Sequence, residues 1–126
     1  MNGRRVLVVE DNEKNMKLFR DVLQAKGYET LEATSGEQAV ELATQHVPDL
    51  ILMDVQLPGI DGVEALGRIQ ADERTKAVPV VALTAQAMAG DREHFLESGF
   101  DGYISKPVDV LEFIQTVAGY FEEHRG

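Results

Sequence analysis

Five short runs set what this chain can fold into. They are Arg5–Val9, Glu29–Ala33, Leu50–Met53, Val80–Thr84 and Tyr103–Ser105. The first, third and fourth are apolar without alternation, as expected of strands buried on both faces. Between the runs lie stretches with helical spacing. A helix is expected from about Glu13 to Lys26, with Leu18, Phe19, Val22 and Leu23 as its apolar stripe and Gly27 at the C-cap. Ser35 and Gln38 form a capping-box start for a second helix through Ala39, Leu42 and Ala43, and Pro48 closes the segment after it. A third runs from about Val63 to Asp72 on Leu66 and Ile69. A fourth passes through Phe95 and Leu96 to Gly99. A last one, capped by Asp109 and Glu112, carries Ile114, Val117, Ala118 and Phe121. Strand and helix thus alternate five times. The expected fold is α/β and doubly wound, (βα)5, with a five-stranded parallel sheet covered on both faces.

The 126 residues suit one domain, residues 1–126, and show no linker, repeat or low-complexity segment. Cysteine is absent, which excludes disulfides and thiolate metal sites. No apolar run approaches the roughly 18 residues of a membrane span. A soluble, cytoplasmic protein is expected. The formal charge of −10, with no basic stripe, opposes nucleic-acid binding and points to protein partners.

In a sheet of this kind ligands bind beyond the carboxyl ends of the strands. Glu10 and Asp11 follow the first strand, Asp54 the third and Lys106 the fifth, while Thr84 ends the fourth. The fold would bring all five to one edge. Crowded carboxylates repel one another, and a hard divalent ion relieves this. Mg²⁺ fits, with Asp11 and Asp54 as direct ligands and Glu10 acting through water. A carboxylate is also a competent nucleophile toward phosphorus. Asp54 is therefore the expected phosphoacceptor. Lys106 would contribute charge and Thr84 a hydroxyl to the phosphoryl oxygens. Taken singly these residues are ordinary: acids after a strand are turn formers or caps, Thr84 a strand residue, Lys106 a surface lysine and Tyr103 a half-buried aromatic. Their joint placement carries the reading. His46, His94 and His124 share no metal spacing.

Four segments in this order and spacing resemble the response-regulator receiver family over essentially the whole chain. They are Val9-Glu10-Asp11-Asn12, Met53-Asp54-Val55-Gln56-Leu57-Pro58-Gly59 with Asp61-Gly62, Leu83-Thr84-Ala85, and Tyr103-Ile104-Ser105-Lys106-Pro107. The resemblance implies the CheY-like, flavodoxin-like strand order 2-1-3-4-5. It implies that Asp54 takes its phosphoryl group from a histidine kinase or a histidine phosphotransfer protein. It places Mg²⁺ on Asp11, Asp54 and the Gln56 backbone carbonyl, makes Thr84 and Tyr103 a coupled switch pair, and implies a cis Lys106–Pro107 bond. Glu10 stands where many members have Asp. Within the family, the segments from Glu10 to Phe19, Gly27 to Leu31 and Asp49 to Asp54 look like the single-domain regulators of cell division.

The expected protein is thus a phosphorelay signalling protein rather than an enzyme, apart from self-catalysed phosphorylation and dephosphorylation. A downstream protein target would meet the face of the fourth helix, fifth strand and fifth helix, and the chain would be a monomer or a phosphorylation-dependent dimer. The alternative within the family is the receiver module of a hybrid kinase or larger regulator. The distant alternative is a Mg²⁺-dependent aspartyl phosphatase. That class places a second Asp two residues after the nucleophile as general acid, and Gln56 occupies that position here.

Overall fold

The computed structural model describes residues 4–55, 57, 59–84, 97–105 and 108–123. Among the described residues the expected alternation is present from β1 to β4, and a helix follows β5. The described elements are β1 (Arg5–Val9), α1 (Glu13–Ala25), β2 (Glu29–Ala33), α2 (Gly36–His46), β3 (Leu50–Asp54), α3 (Gly62–Ala71), β4 (Val80–Thr84), β5 (Gly102–Ser105) and α4 (Val110–Glu123). The helix expected through Phe95 and Leu96 lies outside the described residues, as does His94. The strands form one parallel sheet in the order β2-β1-β3-β4-β5.

The absence of alternation in the strands has a direct cause: both sheet faces are buried. Leu7, Val9, Ile51, Met53, Val80 and Ala82 pack with Ala39, Ala43, Leu66 and Ile69 of α2 and α3. Their neighbours Val6, Val8, Leu50, Leu52, Val81 and Leu83 face the other way, onto Met16, Phe19 and Leu23 of α1 and Phe113, Val117 and Phe121 of α4. Residues one apart on a strand point to opposite faces, so the interior positions of β1, β3 and β4 carry apolar side chains, while the outer strands β2 and β5 keep Glu29, Glu32 and Ser105 exposed.

Two helix stripes differ from expectation. On α1 the buried residues are Met16, Phe19 and Leu23, while Leu18 is 38% exposed and Val22 only partly covered. The true stripe follows the i, i+3, i+7 positions, and Leu18 lies off its edge. On α4 Phe113 is fully buried, and Ile114 beside it only half-buried. Phe19 and Phe113 stack across the sheet face with ring centroids 5.2 Å apart.

The helix ends are specified locally. Gly27, at φ 88°, donates to the Gln24 carbonyl at 3.0 Å, and the Tyr28 amide donates to that of Leu23 at 3.1 Å, completing a Schellman motif. At α2 the Ser35 hydroxyl accepts from the Gln38 amide at 3.2 Å. The Gln38 side chain reaches back to the Thr34 amide, at 2.8 Å, one residue earlier than a capping box requires.

The amino edge of the sheet carries the same device twice. Before β3, Asp49 donates its amide to the Arg5 carbonyl and accepts the Arg5 amide on its carboxylate, both at 2.8 Å. Before β5, Asp101 does the same with Val80, again both at 2.8 Å. Each carboxylate satisfies a strand-start amide that the ladder leaves over.

α2 ends in strain. Val47 holds φ 45°, ψ 71°, a left-handed conformation that is costly for a β-branched residue, and Pro48 comes next. Val47 is 44% exposed, so its side chain contributes little burial. Val47→Asn is expected to stabilise the fold by about 1 kcal/mol, because asparagine tolerates this conformation. A urea midpoint that rises with an unchanged slope would bear this out; a lower midpoint would refute it.

Candidate functional site

The carboxyl edge of the sheet gathers the acids. Ladder pairing sets β1 beside β3 with Val9 opposite Met53, so Glu10, just past β1, and Asp54, the next residue on β3, stand at the same level. Asp54 is itself the last residue of β3, paired with Leu83. One oxygen from each of Glu10, Asp11 and Asp54 lies within 4.8 Å of the others. Glu10 and Asp54 are buried and Asp11 is exposed.

Local structure explains how the acids are held. The Glu10 amide donates to the Ala33 carbonyl at 3.0 Å, extending the ladder beyond β1. The Glu10 carboxylate accepts the Asn12 amide at 3.2 Å. Asn12 is the N-cap of α1, its side chain accepting from the Asn15 amide at 3.1 Å. The turn-former reading of this segment is therefore also correct: Asn12 caps, while the two acids before it face the site. Sequence reasoning missed the Glu10–Asn12 bond. Its signal was the longer side chain at position 10, which can reach a backbone amide two residues on.

The cluster opens into a groove of about 320 Å³ between α1 and β2, lined by Glu10, Asp11, Glu13, Lys17, Arg20 and Glu32 among others. Its two cations are engaged at the rim. Lys17 donates to Asp21 at 2.7 Å and Arg20 to Glu32 at 3.3 Å. The Lys17 hydrogen bond, aided by the charges of Lys17 and Arg20, holds the exposed Asp21 carboxyl below its usual range. The groove therefore keeps an acidic character beside the cluster.

Thr84 ends β4, buried, in register with Ser105 of β5. Tyr103 is half-buried, pairs with Ala82, and packs against the core on the α2–α3 face. Gln56, Lys106 and Pro107 lie outside the described residues, so the structure brings together Glu10, Asp11 and Asp54 and sets Thr84 and Tyr103 on the two strands beside them.

Three carboxylates this close form a donor set for a hard, oxygen-seeking divalent cation, and two of them being buried makes charge compensation more pressing. The residues fit Mg²⁺ on that ground.

A parallel, doubly wound sheet in this order with an acid cluster at its carboxyl edge is the arrangement expected of a receiver domain. The chain belongs to the response regulator receiver domain family, which it matches over residues 6–118, and it is a two-component signalling protein. It is 50% identical over 117 residues to the polar-differentiation response regulator DivK of Brucella ovis, covering 93% of this chain and 95% of that one. The DivK of Brucella anthropi is 49% identical over the same length. Among solved structures, it is similar to the receiver domain of a sensor histidine kinase from Pseudomonas aeruginosa, which has a magnesium ion coordinated in the active site cleft. The TM-score is 0.88 and identity 38%, covering 95% of this chain and 98% of that one. It is also similar to a Saccharomyces cerevisiae complex of the histidine phosphotransfer signaling protein Ypd1 with the receiver domain of its response regulator Ssk1. There the TM-score is 0.85 and identity 30%, over 92% of this chain and 87% of that one. Among the described residues no helix is long and apolar enough to cross a membrane.

Proposed function

We propose that Asp54 is the phosphoacceptor of a phosphorelay, charged by a histidine kinase or histidine phosphotransfer protein, and that the chain works in cell-cycle signalling as a DivK-like regulator. The single observation that carries the phosphoacceptor reading is the clustering of Glu10, Asp11 and Asp54 within 4.8 Å at the end of β1 and β3, and the 50% identity to DivK supports the cell-cycle role. In the reaction an Asp54 carboxylate oxygen bonds to phosphorus as the phosphorus–nitrogen bond of the donor phosphohistidine breaks, and the imidazole leaves with the bonding pair. Asp11, Asp54 and the Gln56 carbonyl would hold Mg²⁺, with Glu10 acting through water. When bound, Mg²⁺ supplies neutralising charge to the phosphoryl oxygens.

The Thr84 hydroxyl would bond a phosphoryl oxygen and Lys106 would pair with another. The added charge, about −1.5 to −2 at pH 7, would draw Thr84 toward it. Tyr103 would turn inward and alter the surface that a target protein reads. The histidine phosphotransfer complex of the yeast relative supports a partner of that kind. The test is intact mass after incubation with a small phosphodonor, with and without Mg²⁺. A single adduct that requires Mg²⁺ is expected. No adduct from either a small donor or a phosphohistidine protein would leave only a docking module.

A further inference from the structure

Two close backbone approaches hold the segment 59–62 that leads into α3. At its far end, the Gly62 amide donates to the Val55 carbonyl at 3.1 Å. A Cβ on Gly62 would lie 2.7 Å from the Asp54 carbonyl oxygen and 2.9 Å from the Val55 Cα. The first turn of α3 therefore rests directly on the peptide of Asp54. Two residues earlier, Ile60 meets the start of α2. A Cβ on Gly36 would lie 2.6 Å from the Ile60 carbonyl oxygen, so the two backbones touch.

Glu37, next in the chain, reaches across this contact. Its carboxylate accepts the Ile60 amide at 3.4 Å. Both carboxylate oxygens occupy the space that a Cβ on Gly59 would fill, and Gly59 holds φ 77°. Glycine thus stands on both sides of the contact, at Gly36 and Gly59, where a side chain would push the helix and the loop apart.

We propose that Glu37 is a positioning residue: through Gly59 and Ile60 it holds residues 59–62, and through Gly62 the Asp54 peptide, in the geometry that binds the divalent cation. This rests on the reading of Glu10, Asp11 and Asp54 as a metal site. The competing explanation is that Glu37 is merely an acid in the first turn of α2, favoured by the amide ends of the helix. In that case its removal changes stability slightly and leaves the metal untouched.

The experiment titrates Mg²⁺ alone into the full chain by isothermal calorimetry, since the protein has no tryptophan to report binding. Wild type is compared with Glu37→Ala, Glu37→Gln and Glu37→Asp, and the Ile60 amide is followed by NMR. Glu37→Ala is expected to weaken Mg²⁺ binding about fivefold, below the usual effect of groups that bond a ligand directly. The Ile60 amide should shift, with Tm within about 3 °C of wild type. Glu37→Gln keeps an acceptor oxygen and should stay within about twofold, whereas Glu37→Asp keeps the charge but not the reach and should match Glu37→Ala. Unchanged affinity in Glu37→Ala overturns the proposal. So does Glu37→Gln falling as far as Glu37→Ala, which would indicate a field effect, or Glu37→Asp matching wild type. A folded wild type that takes up no Mg²⁺ at all removes the metal-site reading itself and this inference with it.

Discussion

Asp54→Asn should abolish phosphoryl uptake and, without Mg²⁺, make the protein more stable. The loss comes from chemistry: a carboxamide oxygen is a poor nucleophile toward phosphorus, and the acyl phosphate product cannot form. The gain comes from the geometry. Oxygens of Glu10, Asp11 and Asp54 lie within 4.8 Å of one another, and Asp54 is buried. At an effective dielectric constant of about 20, a pair of unit charges at that distance repels by roughly 3 kcal/mol. Unfolding separates the acids, so whatever part of this repulsion neighbouring groups do not offset burdens the native state alone. Removing one charge should recover on the order of 1–2 kcal/mol, the remainder being offset by the imperfect fit of an amide. Saturating Mg²⁺ should shrink the difference, because the ion stabilises the wild-type site more. Urea melts of both proteins with EDTA and with Mg²⁺ test this, alongside intact mass. A variant less stable than wild type in EDTA would mean that the cluster is not electrostatically strained.

The second large effect concerns the α1–α4 face. Phe19→Ala is expected to cost about 3–5 kcal/mol. That is a large share of the roughly 5–15 kcal/mol that holds a domain of this kind together. Phe19 is 1% exposed and stacks on Phe113 with 23° between the ring planes. Its removal leaves a hole between two helices that meet over β1, β3 and β4. Leu18→Ala, one residue away, is the control: at 38% exposure it should cost under about 1 kcal/mol. Equal midpoint shifts for the two variants would show that the stripe on α1 has been drawn wrongly.

This contrast also marks where sequence reasoning stopped. Run length, lack of alternation and the order of elements were enough to predict a parallel sheet with helices on both faces, because those properties derive from which residues avoid water. The strand-end acids were legible for the same reason: a polar residue closing an apolar run has to sit at an edge. Helix phase was less legible. Leu18, Phe19, Val22 and Leu23 are all apolar, and only the neighbour across the gap, Phe113, decides which of them is enclosed. The reach of Glu37 to Ile60 depends on how segments distant in sequence approach one another, and no periodicity encodes that. Val47 is a further instance, since nothing about valine announces a left-handed helix end.

The paired aspartates at the amino edge bear on how the molecule can move. Asp49 grips the start of β1 and Asp101 the start of β4. Two strands anchored at their starts by side chains as well as by the ladder behave like cantilevers, stiffer at the root than at the tip. The tips here are the strand ends that carry Glu10, Asp54 and Thr84. Any rearrangement that accompanies chemistry at those tips would meet its stiffest resistance at the root, where the two aspartates fix the register.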